Sequence, residues 1–161
     1  MFNIVLCQPE IAPNTGNLIR LCSNTGCKLH LIKPLGFELD DKRLRRAGLD
    51  YHEYADVKQH DNFDAFIKTQ SPERLFAIET SGTKGYHEAQ FHARDYLLFG
   101  SETKGLSQDI LNHVGENQTL RIPMLPNNRS INLSNSVARV VFEAWRQCDF
   151  TGAHSWAISF I

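Results

Sequence analysis

Three segments of this sequence concentrate small polar side chains where a turn or a helix cap would need one or two. Pro13-Asn14-Thr15-Gly16-Asn17-Leu18-Ile19-Arg20 follows a first apolar run and opens a helical pattern. Gly16 and two Asn make a poor first turn by propensity. Backbone N–H groups at a helix start attract phosphate, and an arginine one turn further on can clamp the same anion. The plainer account is a helix cap with a solvated Arg20. Leu97-Leu98-Phe99-Gly100-Ser101-Glu102-Thr103-Lys104-Gly105-Leu106 runs from a buried strand into a polar loop bounded by glycines. Gly100 at a strand end lets a ligand approach the backbone closely. A strand-to-helix turn with Ser107 as the next cap explains the same residues. The third segment runs from Ile122-Pro123-Met124-Leu125-Pro126 through Ser136, and Asn127–Ser136 holds four Asn and three Ser. One helix cap needs one such residue. The surplus suits a loop that grips a polar ligand, although a turn-rich connection would share this composition.

Several familiar chemistries are absent. No Gly-x-Gly occurs, which removes the dinucleotide fingerprint. Gly100 to Gly105 has the glycine spacing of a phosphate-binding P-loop, but Leu106-Ser107 stand where Lys-Ser/Thr should be. A nucleotide hydrolase built on that loop is therefore not expected. His87-Glu88 is followed by His92. Five residues turn a helix by about 140°, which parts the two imidazoles and removes the zinc helix pattern. No metal is expected. No Gly-x-Ser-x-Gly elbow is present.

These segments need elements to hold them. Strands are expected at Phe2–Cys7, Lys28–Ile32, Arg74–Ile78, Tyr96–Phe99 and Thr119–Ile122, each short and apolar-rich. Helices are expected from Thr15 to about Thr25, with Asn14 as candidate cap and Gly26 as stop, and at Lys42–Ala47, Phe63–Thr69 and Gln108–His113. The last and longest is expected from Leu133 to Gln147, where Leu133, Val137, Val140, Val141, Ala144 and Cys148 repeat at helical spacing. Strand–helix alternation predicts an α/β fold, a mostly parallel sheet with helices on both faces. Ligands then bind at the carboxyl ends of the strands, where the three polar segments fall.

Composition sets the frame. The chain has 161 residues, of which 42% are hydrophobic and 22% charged, enough for one domain that needs no staple. With 17 basic and 18 acidic residues, bulk charge does not make it a nucleic-acid binder. The one dense basic run is Lys42-Arg43-Leu44-Arg45-Arg46, either a solvated face or an RNA patch. No stretch reaches the ~18 apolar residues of a membrane span, and no basic leader precedes the first apolar run, so no membrane partner is expected. Cys7, Cys22, Cys27 and Cys148 are irregularly spaced and read as reduced structural thiols of a cytoplasmic protein.

Taken together, the three segments resemble the three motifs of the SPOUT superfamily of RNA methyltransferases. Asn14–Arg20 is similar to the first motif and Phe99–Leu106 to the second. Ile122–Met124 with Ser130-Ile131-Asn132-Leu133-Ser134 is similar to the third. Order and spacing match from about Asn3 to about Arg146. Arg46-Ala47-Gly48-Leu49-Asp50-Tyr51 narrows the likeness to the small single-domain members that methylate the ribose 2′-oxygen of the wobble nucleotide of the tRNA anticodon.

The resemblance implies one SPOUT domain over residues 1–150, with a deep trefoil knot over about 75–148 and a tail, 151–161, of no assigned role. It implies S-adenosyl-L-methionine as cofactor, with S-adenosyl-L-homocysteine as product. Cofactor contacts carry over to Ile78, Thr80, Gly100, Glu102, Ile122, Met124, Leu125, Ser130 and Leu133. It implies a homodimer that binds the tRNA anticodon stem-loop. RNA contacts fall to Asn14, Asn17, Arg20, Arg43, Arg45, Arg46 and Arg129. Arg20, Ser130 and Asn132 are the implied catalytic residues, with Arg20 acting near the methyl group held by the other subunit. A guanidinium stays protonated, with a pKa above ~12, so Arg20 is expected to stabilise a developing alkoxide unless an RNA phosphate takes the proton. Glu102 is the spare candidate base. Ribose methylation of ribosomal RNA, or RNA binding without turnover, are the competing readings.

Overall fold

The computed structural model describes residues 1–39, 57–128 and 130–153. Among these residues, seven parallel strands form one sheet: β1 (Asn3–Cys7), β2 (Lys28–Ile32), β3 (Val57–His60), β4 (Leu75–Ile78), β5 (Lys84–Gly85), β6 (Tyr96–Phe99) and β7 (Thr119–Arg121). Their order across the sheet is β3-β2-β1-β6-β4-β7-β5. Among the described residues, the α-helices are α1 (Ala12–Thr25), α2 (Phe63–Gln70), α3 (Gln108–Val114) and α4 (Leu133–Gln147). The expected helix at Lys42–Ala47 lies outside the described residues. None of the described helices is long and apolar enough to cross a membrane.

The continuous apolar runs of β1, β4 and β6 follow from burial on both faces. Side chains alternate across the sheet. Ile4, Leu6, Leu97 and Phe99 pack with Leu18, Ile19 and Cys22 of α1 and Val137, Val140, Val141 and Ala144 of α4. Val5, Cys7 and Leu98 pack on the other side with Phe66 of α2 and Ile110 and Val114 of α3. Each fully buried large apolar side chain contributes about 1.5–3 kcal/mol. The four cysteines are free thiols, and burial pushes the Cys7 thiol up to about 11.

Two strands escaped the sequence pattern, β3 and β5, and both are sheet edges. An edge strand needs no unbroken apolar run: β3 is Val57-Lys58-Gln59-His60, with two exposed residues, and β5 has two residues. The start of α1 also differs from expectation. The helix begins at Ala12, with Pro13 in its first turn and Ile11 at the cap position making no side-chain cap bond. Asn14 therefore lies inside the first turn and is not the cap. The stop at Gly26 is as expected, with φ 68°.

One buried polar pair has a measurable consequence. His30 on β2 is 0% exposed and its Nδ1 lies 3.1 Å from Nε2 of His60 on β3. The rings stack at 5.3 Å, with Phe66 and Tyr96 against His30. Such a contact needs one imidazole N–H and one bare nitrogen, so it suits a neutral pair. Burial first, then His60, Lys58 and Lys28, pull the His30 pKa from 6.5 down to about 4. Burial lowers His60 as well, with Asp61 opposing. The unfolded chain thus binds the proton first as pH falls. Stability from this group is complete above about pH 6.5, is lost down to about pH 4, and levels off below. Denaturant unfolding should give about 3 kcal/mol less stability near pH 4 than near pH 7 from His30 alone. His30→Asn should remove that part of the slope; an unchanged slope in the variant would assign it elsewhere.

Candidate functional site

The carboxyl ends of β4, β6 and β7 open into a cavity of about 450 Å³, closed by the first turns of α1 and α4. Its size falls in the range of small-molecule sites, roughly 300–1,000 Å³. The apolar walls are Ile78, Phe99, Ile122 and Leu133, each continuing a strand or opening α4. Glu79 and Thr80 extend β4, and Gly100–Gly105 extends β6. Met124 and Ser130–Asn132 come from the connection between β7 and α4, and Ile11 and Asn14 from the entry to α1.

Carboxylates and amides fasten these loops to one another. Glu102 accepts from the backbone N–H groups of Glu10 (2.7 Å) and Ile11 (3.2 Å), and from the Asn14 side-chain amide (2.9 Å). Asn14 in turn accepts from Asn132 Nδ2 at 2.9 Å. Asn132 Oδ1 caps α4, taking the N–H groups of Ser134 and Asn135 and the Ser134 hydroxyl. Glu79 accepts from Leu106 N–H at 2.9 Å and from the N–H and hydroxyl of Thr80. The loop after β6 closes on itself, with Gly105 N–H donating to Ser101 O at 3.0 Å.

Gly100 is where side-chain absence matters most. A Cβ there would run into the backbone of Gly105 and Leu106. The turn can fold back on its own strand only because that space is empty.

Of the expected cofactor residues, Ile78, Thr80, Gly100, Glu102, Ile122, Met124, Ser130 and Leu133 line the cavity. Leu125 does not; it is 77% exposed, beyond the rim. Asn14 and Asn132 also line it. Both ends of the Asn132 amide are taken by protein partners, which makes it a cap and a tie between α1 and α4. Glu102 is likewise engaged through both oxygens by three N–H donors, a poor starting state for a general base. Asn17 and Arg20 follow Asn14 at three-residue steps on α1; both are exposed, and neither is among the lining residues. Arg43, Arg45, Arg46 and Arg129 lie outside the described residues. Among the described residues, no group of three or more His, Cys, Asp or Glu side chains could hold a metal.

Glu10 was not singled out from sequence; Glu79 and Thr103 entered only as members of the strand end Ile78–Thr80 and of the polar loop after Phe99. The available signal was position: Glu79 directly follows β4, and Glu10 follows β1 by three residues, where sheet ligands bind.

The profile of the SpoU rRNA Methylase family matches residues 1–142. The chain belongs to the SpoU methylase family. The chain is 63% identical over 153 residues, 95% of its length and 99% of the relative's, to the tRNA (cytidine(34)-2'-O)-methyltransferase of Saccharophagus degradans. A solved structure described as "Structural insights into the 2-OH methylation of C/U34 on tRNA" is 42% identical, with a TM-score of 0.83, covering 93% of this chain and 97% of that one. The SpoU methyltransferase AviRb of Streptomyces viridochromogenes, in complex with AdoMet, shares the fold at 21% identity and a TM-score of 0.76. That match covers 94% of this chain and 58% of AviRb. SpoU membership agrees with the three motifs, whose loops all meet at the one cavity.

Proposed function

We propose that this SpoU methylase transfers a methyl group from S-adenosyl-L-methionine to the ribose 2′-hydroxyl of nucleotide 34 in the tRNA anticodon, and works as a homodimer. The observation that carries the reading is the 63% identity to a tRNA (cytidine(34)-2'-O)-methyltransferase across nearly the whole of both chains.

The cavity suits the cofactor. Its apolar walls fit a purine, Gly100 leaves backbone open to close approach, and the carboxylates of Glu79 and Glu102 give a negative surround that favours a sulfonium cation. When bound, the cofactor supplies an already activated methyl donor. The protein's work is then positioning and handling of the hydroxyl proton. Ile78, Ile122 and Leu133 would hold the cofactor's apolar surface, and the Gly100 loop and Ser130 would meet its polar groups. Arg20, on the outer part of α1, stabilises the alkoxide that develops on the ribose in the site of the facing subunit. With Glu102 occupied by N–H donors, the proton leaves to an RNA phosphate or water. Asn17, exposed three residues before Arg20, would contact the RNA, whereas the buried Asn14 amide is taken up by Glu102 and Asn132; Arg43, Arg45, Arg46 and Arg129 would bind its phosphates.

We read residues 1–150 as one catalytic domain, with the threaded knot over about 75–148. Supporting this, Glu79 N–H donates to Leu120 O at 2.8 Å, and Gly82 packs directly on the Leu120 backbone.

The test is to incubate the protein with S-adenosyl-L-methionine and tRNA that lacks wobble ribose methylation. The product is then mapped by nuclease digestion and mass spectrometry. A 2′-O-methyl group at nucleotide 34, with S-adenosyl-L-homocysteine released in equal amount, is expected. A methyl group elsewhere would keep the chemistry and change the substrate. Transfer to ribosomal RNA alone, or none with cofactor bound, would overturn the reading.

A further inference from the structure

The loops after β1 and β6 exchange carboxylates. Glu102 of the second loop receives backbone N–H groups of the first, as described above. In return Glu10 of the first receives the N–H of Thr103 at 3.1 Å, and the Thr103 hydroxyl at 2.8 and 2.7 Å from its two oxygens. Thr103 sits at the tip of the turn that lines the cavity, between Ser101 and Gly105, which close the base. Glu10 itself does not line the cavity. Its backbone is pinned from behind: Gly36 N–H donates to Pro9 O at 2.9 Å, and the bare face of Gly36 meets Glu10 Cα and O. The carboxylate therefore leaves a fixed backbone and reaches across to Thr103, beside Glu102, on the outer part of the turn.

We propose that Glu10 is a positioning residue for the cofactor: through Thr103 it sets the shape of the turn that lines the cavity. The proposal rests on the functional reading above. Each of the two carboxylates is satisfied by donors of the opposite loop. Without Glu10, Thr103 loses its bonds to the neighbouring loop, and Glu102 alone ties the turn to it. The cavity wall then moves between conformations, of which only some bind.

The test is titration calorimetry of S-adenosyl-L-methionine on purified Glu10→Ala, Glu10→Gln and Thr103→Val proteins beside the unmodified chain, with melting temperatures measured in parallel. Glu10→Ala should bind about tenfold more weakly at unchanged stoichiometry, as expected for losing charge-assisted bonds. Glu10→Gln can still accept from the N–H and donate to the hydroxyl, and should recover most of the affinity. Thr103→Val keeps the N–H alone and should fall between. An unchanged affinity in Glu10→Ala overturns the proposal. So does a lower melting temperature and bound fraction with the affinity of the folded protein unaltered, because that pattern marks a role in folding alone. If Glu10→Ala does not fold, the order of Glu10→Gln and Thr103→Val decides: equal, unaltered affinities overturn it. Failure of the unmodified chain to bind S-adenosyl-L-methionine overturns the functional reading instead.

Discussion

Gly100→Ala should weaken S-adenosyl-L-methionine binding by more than about a hundredfold while leaving most of the sheet folded. The added methyl group would meet main-chain atoms of Gly105 and Leu106, which have no rotamer to change. Gly105 cannot yield in turn. It holds φ 67°, and its own Cβ position faces Glu79 Oε2. Moving the turn outward also breaks the bond from Leu106 N–H to Glu79. The strain is thus passed to two loops that line one cavity. The buried strand residues Leu97, Leu98 and Phe99 keep their packing, so the stability cost stays at about 1–3 kcal/mol. Calorimetry gives the affinity and thermal denaturation the stability. Binding within threefold of the unmodified protein would show that the close approach is not needed for the site.

Arg20→Ala should reduce turnover about a thousandfold and leave cofactor affinity within twofold, as expected for a group acting on charge that develops only in the transition state. Arg20 is exposed on α1 and is not among the residues that line the cavity, so losing its side chain removes no cofactor contact within the same subunit. If it serves the facing subunit, two inactive proteins should rescue each other. A mixed dimer of Arg20→Ala and Gly100→Ala subunits keeps one intact site, with the arginine from one chain and the cavity from the other. Random mixing in equal amounts should restore roughly a quarter of normal activity, since half the dimers are mixed and each has one working site. Single-turnover methylation of tRNA measures this. No recovery after verified exchange of subunits would place Arg20 in its own subunit's site, and collapse of cofactor binding in Arg20→Ala would remove the assigned role.

The central strands were legible because burial on both faces leaves an unbroken apolar signature, as in Ile4-Val5-Leu6 and Leu97-Leu98-Phe99. The edges were not, since Val57-Lys58-Gln59-His60 carries the mixed composition of any exposed segment. The three polar segments marked the cavity through their surplus of hydrogen-bonding groups, and that surplus resembled a known set of motifs. Which partner each group takes was not legible. Asn14 looked like a cap because its neighbours resemble a helix start; its amide instead joins Glu102 to Asn132. Glu10 left only its position after β1 as a signal, and a lone acidic residue after a strand is ordinary. Its meaning comes from Thr103, a contact that local pattern cannot register.

The ties around the cavity join residues far apart along the chain: Glu102 to Glu10 at 92 positions, and Asn132 to Asn14 at 118. Contacts of such separation form late, since the chain must first lose the entropy of closing very long loops. Local units such as α1 with β1 and β2 can form early, but the ligand pocket needs the first helix and the last in place together. A nascent chain on the ribosome therefore has no half-built pocket to fill until α4 has emerged. Ligand binding then reports completion of the whole fold, and pulsed hydrogen exchange during refolding should find the amides of Glu10 and Ile11, which donate to Glu102, among the last to gain protection.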